Sequence, residues 1–248
     1  MSAVPVLARD VRIVPLGGER VAEMIATQDT VCAQLALPEL YFPLSTQEMQ
    51  ELVGPDGLCV GAERGGRLIG FFGVLFMGER DDNVGQDMGL AAQDLPLVAY
   101  FKATNVLPEY RGAGLQKRMT HALFAAMGAT SPPGLSGDSS TLSHGLSMAC
   151  EHPYKWLSST VSPRNLASLK SFLDSGFWIQ GLKPKYLGNM RYLMLRQQQA
   201  PDHQLTDSIA VPLLDYDTQV DLLGRGWRGV ALNYDQAAAQ IHYIRAKG

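Results

Sequence analysis

The stretch Asn105 to Met119, NVLPEYRGAGLQKRM, joins an apolar run to an amphipathic one through two glycines and a cluster of positive charge. Leu97 to Leu107 reads as a strand entering a Pro-Glu-Tyr-Arg turn. Beyond it, Leu115, Met119, Ala122, Leu123, Ala126 and Met127 recur at helical spacing on one face, with Lys117, Arg118 and His121 off that face. The first amides of such a helix have no internal partner, and with the macrodipole they present partial positive charge. Glycines at 112 and 114 admit an anion that a Cβ would push away, and Arg111, Lys117 and Arg118 add full charges. The expected ligand is a phosphate or pyrophosphate.

Two common phosphate loops are excluded by their missing parts. No GxGxxG follows a strand here, and no GxxxxGK is followed by Ser or Thr. The segment instead resembles motif A of the GNAT N-acetyltransferase superfamily, in the residues Val106, Pro108, Tyr110, Arg111, Gly112, Ala113, Gly114, Leu115 and Gln116. Gln116 stands where that pattern has a small residue. A second stretch, TVSPRNLASLKSFLDSGF from Thr160 to Phe177, resembles the superfamily's motif B. Physical reading gives it the same shape: Ser162 or Asn165 caps a helix, Leu166, Leu169, Phe172 and Leu173 form its buried stripe, and Gly176 ends it with Phe177 packing back. The resemblance spans roughly residues 9 to 196.

The resemblance implies an α/β (α+β) fold with a mixed, mostly antiparallel central sheet splayed in the middle and flanked by helices, followed by a C-terminal extension. It places a GNAT domain over residues 1–200 and the extension over 201–248, docked on the main sheet or on a second subunit. Acetyl-CoA is the implied co-substrate. The backbone of Asn105, Val106 and Leu107 would pair with the pantetheine as an added strand, with an amide there polarising the thioester carbonyl. Amides from Gly112 through Ala113, Gly114, Leu115 and Gln116 to Lys117, beside Arg111, would hold the pyrophosphate, and Asn165 would contact the cofactor from the other arm. The implied reaction is direct attack of an amine, from a small molecule or a peptide, on the thioester.

The groups that move protons are not assigned by the resemblance. The superfamily often places a tyrosine seven residues after the motif B asparagine to protonate the departing thiolate, and that position is Phe172 here. Tyr154, Tyr186 and Tyr192 are the candidate substitutes; Glu63, Asp94 and Glu109 are candidate bases by strand or turn position. Gln116 and Phe172 also motivate a rival reading, an acyl-CoA-binding protein with a regulatory or assembly role and no turnover. A nucleotide-binding module is a further rival, set back by the missing phosphate loops.

Composition agrees with a globular chain. At 248 residues, 46% hydrophobic and 18% charged, it can bury a full core. A net charge of −3 argues against a general nucleic-acid binder. No apolar run has membrane-spanning length, and the N-terminus lacks the pattern of a signal peptide, so the expected compartment is the cytoplasm. Cys32, Cys59 and Cys150 form no CxxC pair, and no metal site is expected; Cys150, beside Glu151 and His152, has no assigned role. A homodimer is the base-rate expectation.

The rest of the chain reads as a strand at Asp10–Val14, helices over Gly18–Leu35 and Thr46–Val53, and a hairpin of Leu58–Arg64 with Leu68–Phe76 about Gly65-Gly66. Residues 77–96 form an acidic insertion that either covers an acceptor or is a solvated loop. A Pro, Gly and Ser-rich insertion occupies 129–146. After the linker QQQAPDHQ come a helix at Asp215–Gly224, a strand at Trp227–Leu232 and a final amphipathic stretch.

Overall fold

The structure is a computed structural model; it describes residues 10–130, 152–198, 207–235 and 238–245. The insertion at 129–146 beyond residue 130, Cys150 and most of the QQQAPDHQ linker lie outside the described residues. The chain forms two compact units, residues 1–76 with 101–153, and residues 77–100 with 154–248.

In the first unit, β1 (Arg12–Pro15) is followed by a 3-10 turn and α1 (Val21–Ala33), then α2 (Thr46–Leu52), β2 (Gly57–Arg64) and β3 (Arg67–Phe76). The strand β4 (Val98–Val106) contributes its residues from Phe101 onward, and α3 (Leu115–Met127) completes the unit. The strand order is β1-β2-β3-β4. Gly65 and Gly66 at φ 58° and 83° close the β2–β3 hairpin, the left-handed pair that a primed two-residue turn requires. The run LIGFFGVLF in β3 does not alternate, the pattern of a strand covered on both faces, and its residues from Leu68 to Phe76 are all buried with α1, α2 and α3 packed on it. Phe72, Phe101 and Phe124 meet edge to face at centroid distances of 5.4 and 5.9 Å, joining β3, β4 and α3 in the core.

α2 starts in a capping box: the Glu48 amide donates to Ser45 Oγ at 3.3 Å, and Ser45 N–H donates to Glu48 Oε2 at 2.9 Å. Ser45→Ala removes one half of that exchange. It is expected to cost about 1 kcal/mol, a fall in melting temperature of roughly 2–4 °C that thermal denaturation would read.

The second unit holds the beginning of β4 and the elements β5 (Trp156–Val161), α4 (Leu166–Asp174), β6 (Trp178–Lys185) and β7 (Asn189–Gln197). It continues with β8 (Ser208–Pro212), α5 (Tyr216–Gly224), β9 (Trp227–Asp235) and β10 (Ala238–Arg245). Its strand order is β4-β5-β7-β6-β9-β10-β8, and the pairs β5–β7, β6–β7, β6–β9, β9–β10 and β10–β8 are antiparallel. The final amphipathic stretch is thus β10, and β8 is an additional strand that the sequence pattern did not show.

Residues after 207 join the sheet through Gly229 opposite Ile179. A Cβ on Gly229 would lie 2.8 Å from Ile179 Cδ1 and 2.9 Å from Ile241 Cγ2, so a larger residue at this crossing would have to displace those side chains. Beneath it, Gln219 of α5 is fully buried and accepts from both Tyr192 and Tyr243 hydroxyls at 2.7 Å, while its amide donates to the carbonyls of Pro212 and Leu213 at 3.0 and 2.8 Å.

The acidic insertion at 77–96 is organised structure, not a solvated loop. Val84 and Met88 are buried, and the Asn83 amide donates to Leu95 O at 2.7 Å while its oxygen accepts from Gly85 N–H at 2.9 Å. A loop folded around one buried asparagine satisfies its own backbone in this way.

Candidate active site

In the first unit, the segment after β4 builds an exposed helix terminus. Leu107 to Arg111 make a tight 3-10 turn about Pro108, with Tyr110 N–H donating to Leu107 O at 2.9 Å and Arg111 N–H to Pro108 O at 3.1 Å. Gly112 and Gly114 then take φ 76° and 71°, a conformation that other L residues adopt at a cost. Gly114 is the N-cap of α3 and supplies no side-chain cap, in contrast to Ser45 on α2, Asn165 on α4 and Asp215 on α5. The helix's own ladder begins with Arg118 N–H to Gly114 O at 3.1 Å, so the amides of Leu115 and Gln116 have no carbonyl within the helix to meet. No acidic residue lies in the first turn, and Arg111, Gly112, Gly114 and Lys117 are exposed. A Cβ on either glycine would meet no atom within 4 Å. Backbone conformation therefore dictates glycine here, and the terminus stands open to an anion.

Two residues of the expected carrier site are corrected by their partners. Arg118 turns away from the terminus and donates to Val11 O at 2.6 Å; burial lowers its pKa from the ordinary guanidinium value. It pins α3 to the segment before β1. Leu107 has both backbone groups engaged, its N–H with Ile69 O at 2.9 Å and its carbonyl with Tyr110, so it has no amide to offer a pantetheine. Peptide groups along a strand alternate between its two edges. Asn105, two residues before Leu107, turns its carbonyl toward Gly70 of β3, where a Cβ would come within 2.7 Å of it. The Val106 peptide is left facing away from β3.

The side chain of Asn105 has a structural role that the backbone reading missed. It is 1% exposed and donates to Tyr41 Oη at 2.9 Å; Tyr41 donates in turn to Gln28 Oε1 at 2.8 Å. Gln28 is fixed by the Leu44 peptide, accepting from its N–H at 2.8 Å and donating to its carbonyl at 2.9 Å. That chain clamps α1 and the segment before α2 onto the end of β4. The sequence signal was a lone asparagine in an apolar strand, and its partner lay too far along the chain to be named.

In the second unit, the stretch from Thr160 to Phe177 forms the end of β5 and the capped helix α4 that its residue order predicts. Asn165 Oδ1 accepts from Ser168 N–H at 3.2 Å, Gly176 takes φ 82°, and Phe177 N–H bonds back to Phe172 O at 3.1 Å. Phe172 is 5% exposed and meets the Phe177 ring edge on at 5.0 Å. It is a core residue.

The candidate proton-transfer groups separate by their surroundings. Glu63 accepts from Arg12 at 2.8 Å and Arg20 at 3.3 Å, a structural ion pair between β1 and β2. Asp94 is held by Lys155 at 2.8 Å, and that hydrogen bond keeps its carboxyl below the usual range, which disfavours it as a base. Tyr192 is completely buried on Gln219, and burial pushes its phenol up. Tyr154 is half-buried near Arg196, and Glu109 is an exposed turn residue. Tyr186, in the β6–β7 turn, keeps partial exposure and bonds to Tyr100 and Thr160 hydroxyls at 2.8 and 3.0 Å. The charges of the 77–96 segment are largely compensated: Asp82 by Arg80 at 3.1 Å, Asp87 by Lys183 at 3.7 Å and by Lys185, and Asp94 by Lys155.

No family profile matches the chain, and no curated protein does. Solved structures do. NAA60 of Arabidopsis thaliana in complex with acetyl-CoA is 13% identical, with 75% of this chain and 98% of that one covered at a TM-score of 0.50. The same protein with a bisubstrate analogue gives the same identity, coverage and TM-score, 13%, 75% and 98%, and 0.50. The GNAT-family acetyltransferase of Streptococcus pneumoniae is 16% identical over 75% of this chain and 98% of its own, with a TM-score of 0.49. At such identities the likeness is one of fold: the chain has the mixed α/β fold of the GNAT acetyltransferases, a mostly antiparallel sheet flanked by helices.

Proposed function

We propose that this chain is an acetyl-CoA-dependent N-acetyltransferase. The observation that carries the reading is the start of α3, where two left-handed glycines, no side-chain cap, no first-turn carboxylate and the exposed Arg111 and Lys117 meet on a fold shared with NAA60 of Arabidopsis thaliana in complex with acetyl-CoA. Backbone amides from Gly112 to Lys117 hold the pyrophosphate, and the Val106 peptide, facing away from β3, pairs with the pantetheine. A desolvated amide aimed at a thioester carbonyl stabilises the oxyanion that forms when the amine attacks. Binding both reactants at once supplies the remaining advantage, because a bimolecular attack becomes an internal one.

The acceptor is an amine of a small molecule or a peptide. Asp82, Asp87 and Asp94 do not select a cationic acceptor, since each is already paired with a lysine or an arginine. Thiol release from acetyl-CoA over a panel of spermidine, kanamycin, glycinamide and a short alanine peptide tests the reading. CoA binding with no release across the panel would favour the binding-protein alternative.

Lys117 lies exposed at the first turn, where its attraction to a phosphate is screened by salt. Lys117→Ala is expected to weaken CoA binding by less than about fivefold at low ionic strength, with the difference closing at high salt. Calorimetry at two salt concentrations would check it. An equal loss at both would mean that the side chain acts as a buried ligand.

A further inference from the structure

We infer that β8 is an interaction surface, and that it pairs antiparallel with the β8 of a second copy of this chain about a two-fold axis at Ile209. β8 ends the strand order and pairs with β10 alone among the described strands. Just past it, Leu213 N–H donates to Ala239 O at 2.9 Å, continuing the register that sets Val211 opposite Ile241. Hydrogen-bonded and non-bonded positions alternate along an antiparallel pair. Val211 and Ile209 therefore turn their peptide groups to β10, while Ser208, Ala210 and Pro212 turn theirs outward. Pro212 has no N–H, and its carbonyl already accepts from Asp215 N–H at 3.1 Å and Gln219 Nε2 at 3.0 Å. What the outward edge offers is the N–H and carbonyl of Ser208 and of Ala210, both exposed residues.

The chain treats its other edge strand differently. In β1, Leu16 N–H donates to Cys59 O at 2.9 Å, so Val14 and Arg12 face β2 while Val11 and Pro15 face outward. The Val11 carbonyl is occupied by Arg118, and Pro15 has no N–H to give. Arg12 adds a charge on that strand. Such devices keep other strands from adding to an edge. β8, with the sequence Ser-Ile-Ala-Val-Pro, carries no charged side chain, and its register with β10 runs without a bulge. An edge left open in this way is a template for a further strand.

The pattern of open groups selects an identical strand. With the axis at Ile209, Ser208 of one copy faces Ala210 of the other, and each such pair exchanges both its N–H donors, so every open group on both edges is used. Moving the axis to Ala210 would set Ser208 against Pro212, which has no N–H and a carbonyl already engaged. Ile209 is 41% exposed, and at the axis it meets its own twin in a non-hydrogen-bonded position. There the Cα atoms approach to about 4.5 Å and β-branched side chains cover one another. Charge permits the same pairing: Asp207, next to the strand, falls opposite Val211 and not opposite its twin. The contact is isologous, and it continues the sheet of the second unit from one copy into the other. A short strand pair belongs to the interfaces below about 1,200 Å², whose members associate weakly and reversibly.

Sedimentation of the full chain from about 1 to about 500 μM tests the inference, with a reversible rise toward twice the mass of one chain as the expected result. Ala210→Pro removes an outward N–H that β10 does not use, and Ile209→Lys sets two ammonium groups face to face. Each is expected to weaken association at least about tenfold, with a melting temperature at low concentration within about 2 °C of the parent. Ile209→Cys reads the register separately and perturbs the strand least. Under mild oxidation it should form a disulfide between copies, beyond any cross-link that the parent's own cysteines give. A parent that keeps the mass of one chain throughout the range overturns the inference. So does a dimer that withstands both Ala210→Pro and Ile209→Lys, or one that Ile209→Cys does not cross-link, since either result puts the contact elsewhere. None of these outcomes depends on the acetyl transfer proposed above.

Discussion

Gly114→Glu is expected to bind CoA more than tenfold more weakly than the parent, a loss of about 1.4 kcal/mol or more. Gly114 caps α3 at φ 71°, with no atom within 4 Å of the position a Cβ would take, so the new side chain has room in the fold. What it changes is the charge at the helix terminus. A carboxylate there is attracted to the positive end of the helix and repels the phosphate that would otherwise meet it. The left-handed backbone adds a separate cost of about 1–2 kcal/mol for a non-glycine residue, which lowers stability and not affinity. Gly114→Asn isolates that cost, because asparagine tolerates this conformation and brings no charge; it should bind CoA nearly as well as the parent. Titration calorimetry on the folded variants decides. If Gly114→Glu binds CoA like the parent, the terminus of α3 is not a pyrophosphate cradle.

The largest expected effect on stability is at Gln219. Gln219→Leu nearly conserves volume but deprives the buried Tyr192 and Tyr243 hydroxyls of their shared acceptor, and the Pro212 and Leu213 carbonyls of a donor. A buried polar group left without a partner costs about 1–3 kcal/mol; the Tyr243 hydroxyl loses its acceptor outright, and the Tyr192 hydroxyl is left with the longer bond to Leu213 O at 3.4 Å. A total near 3 kcal/mol corresponds to a fall of roughly 6–12 °C in melting temperature for a chain of this size. An unchanged melting curve would show that the packing of Trp227, Leu232 and Ile241, all buried, holds the C-terminal strands without the polar clasp.

The sequence by itself determined the elements whose causes are local. The start of α3 was legible because Gly112, Gly114 and the apolar stripe from Leu115 to Met127 lie within a few turns of one another. The cap at Asn165 and the Gly176 stop of α4 were legible for the same reason, as was the Gly65-Gly66 hairpin. Such features depend on φ preferences and on partners three or four residues away, which the order of residues contains. The fold followed from finding both motifs in one chain.

Only the tertiary structure decided which polar side chains were free to serve. Arg118 looked like a phosphate ligand until Val11, 107 residues earlier, took its guanidinium. Asp94 looked like a base until Lys155, 61 residues later, claimed it, and Tyr192 looked like an acid until α5 covered it with Gln219. The hydroxyls of Tyr100 and Tyr186 meet across 86 residues. A charged or hydroxyl group in a strand reads the same in the sequence whether it faces a partner, a core or solvent. The chemistry it can perform is set by what the folded chain brings within hydrogen-bonding distance, and that is fixed by strand pairing and helix packing between distant segments.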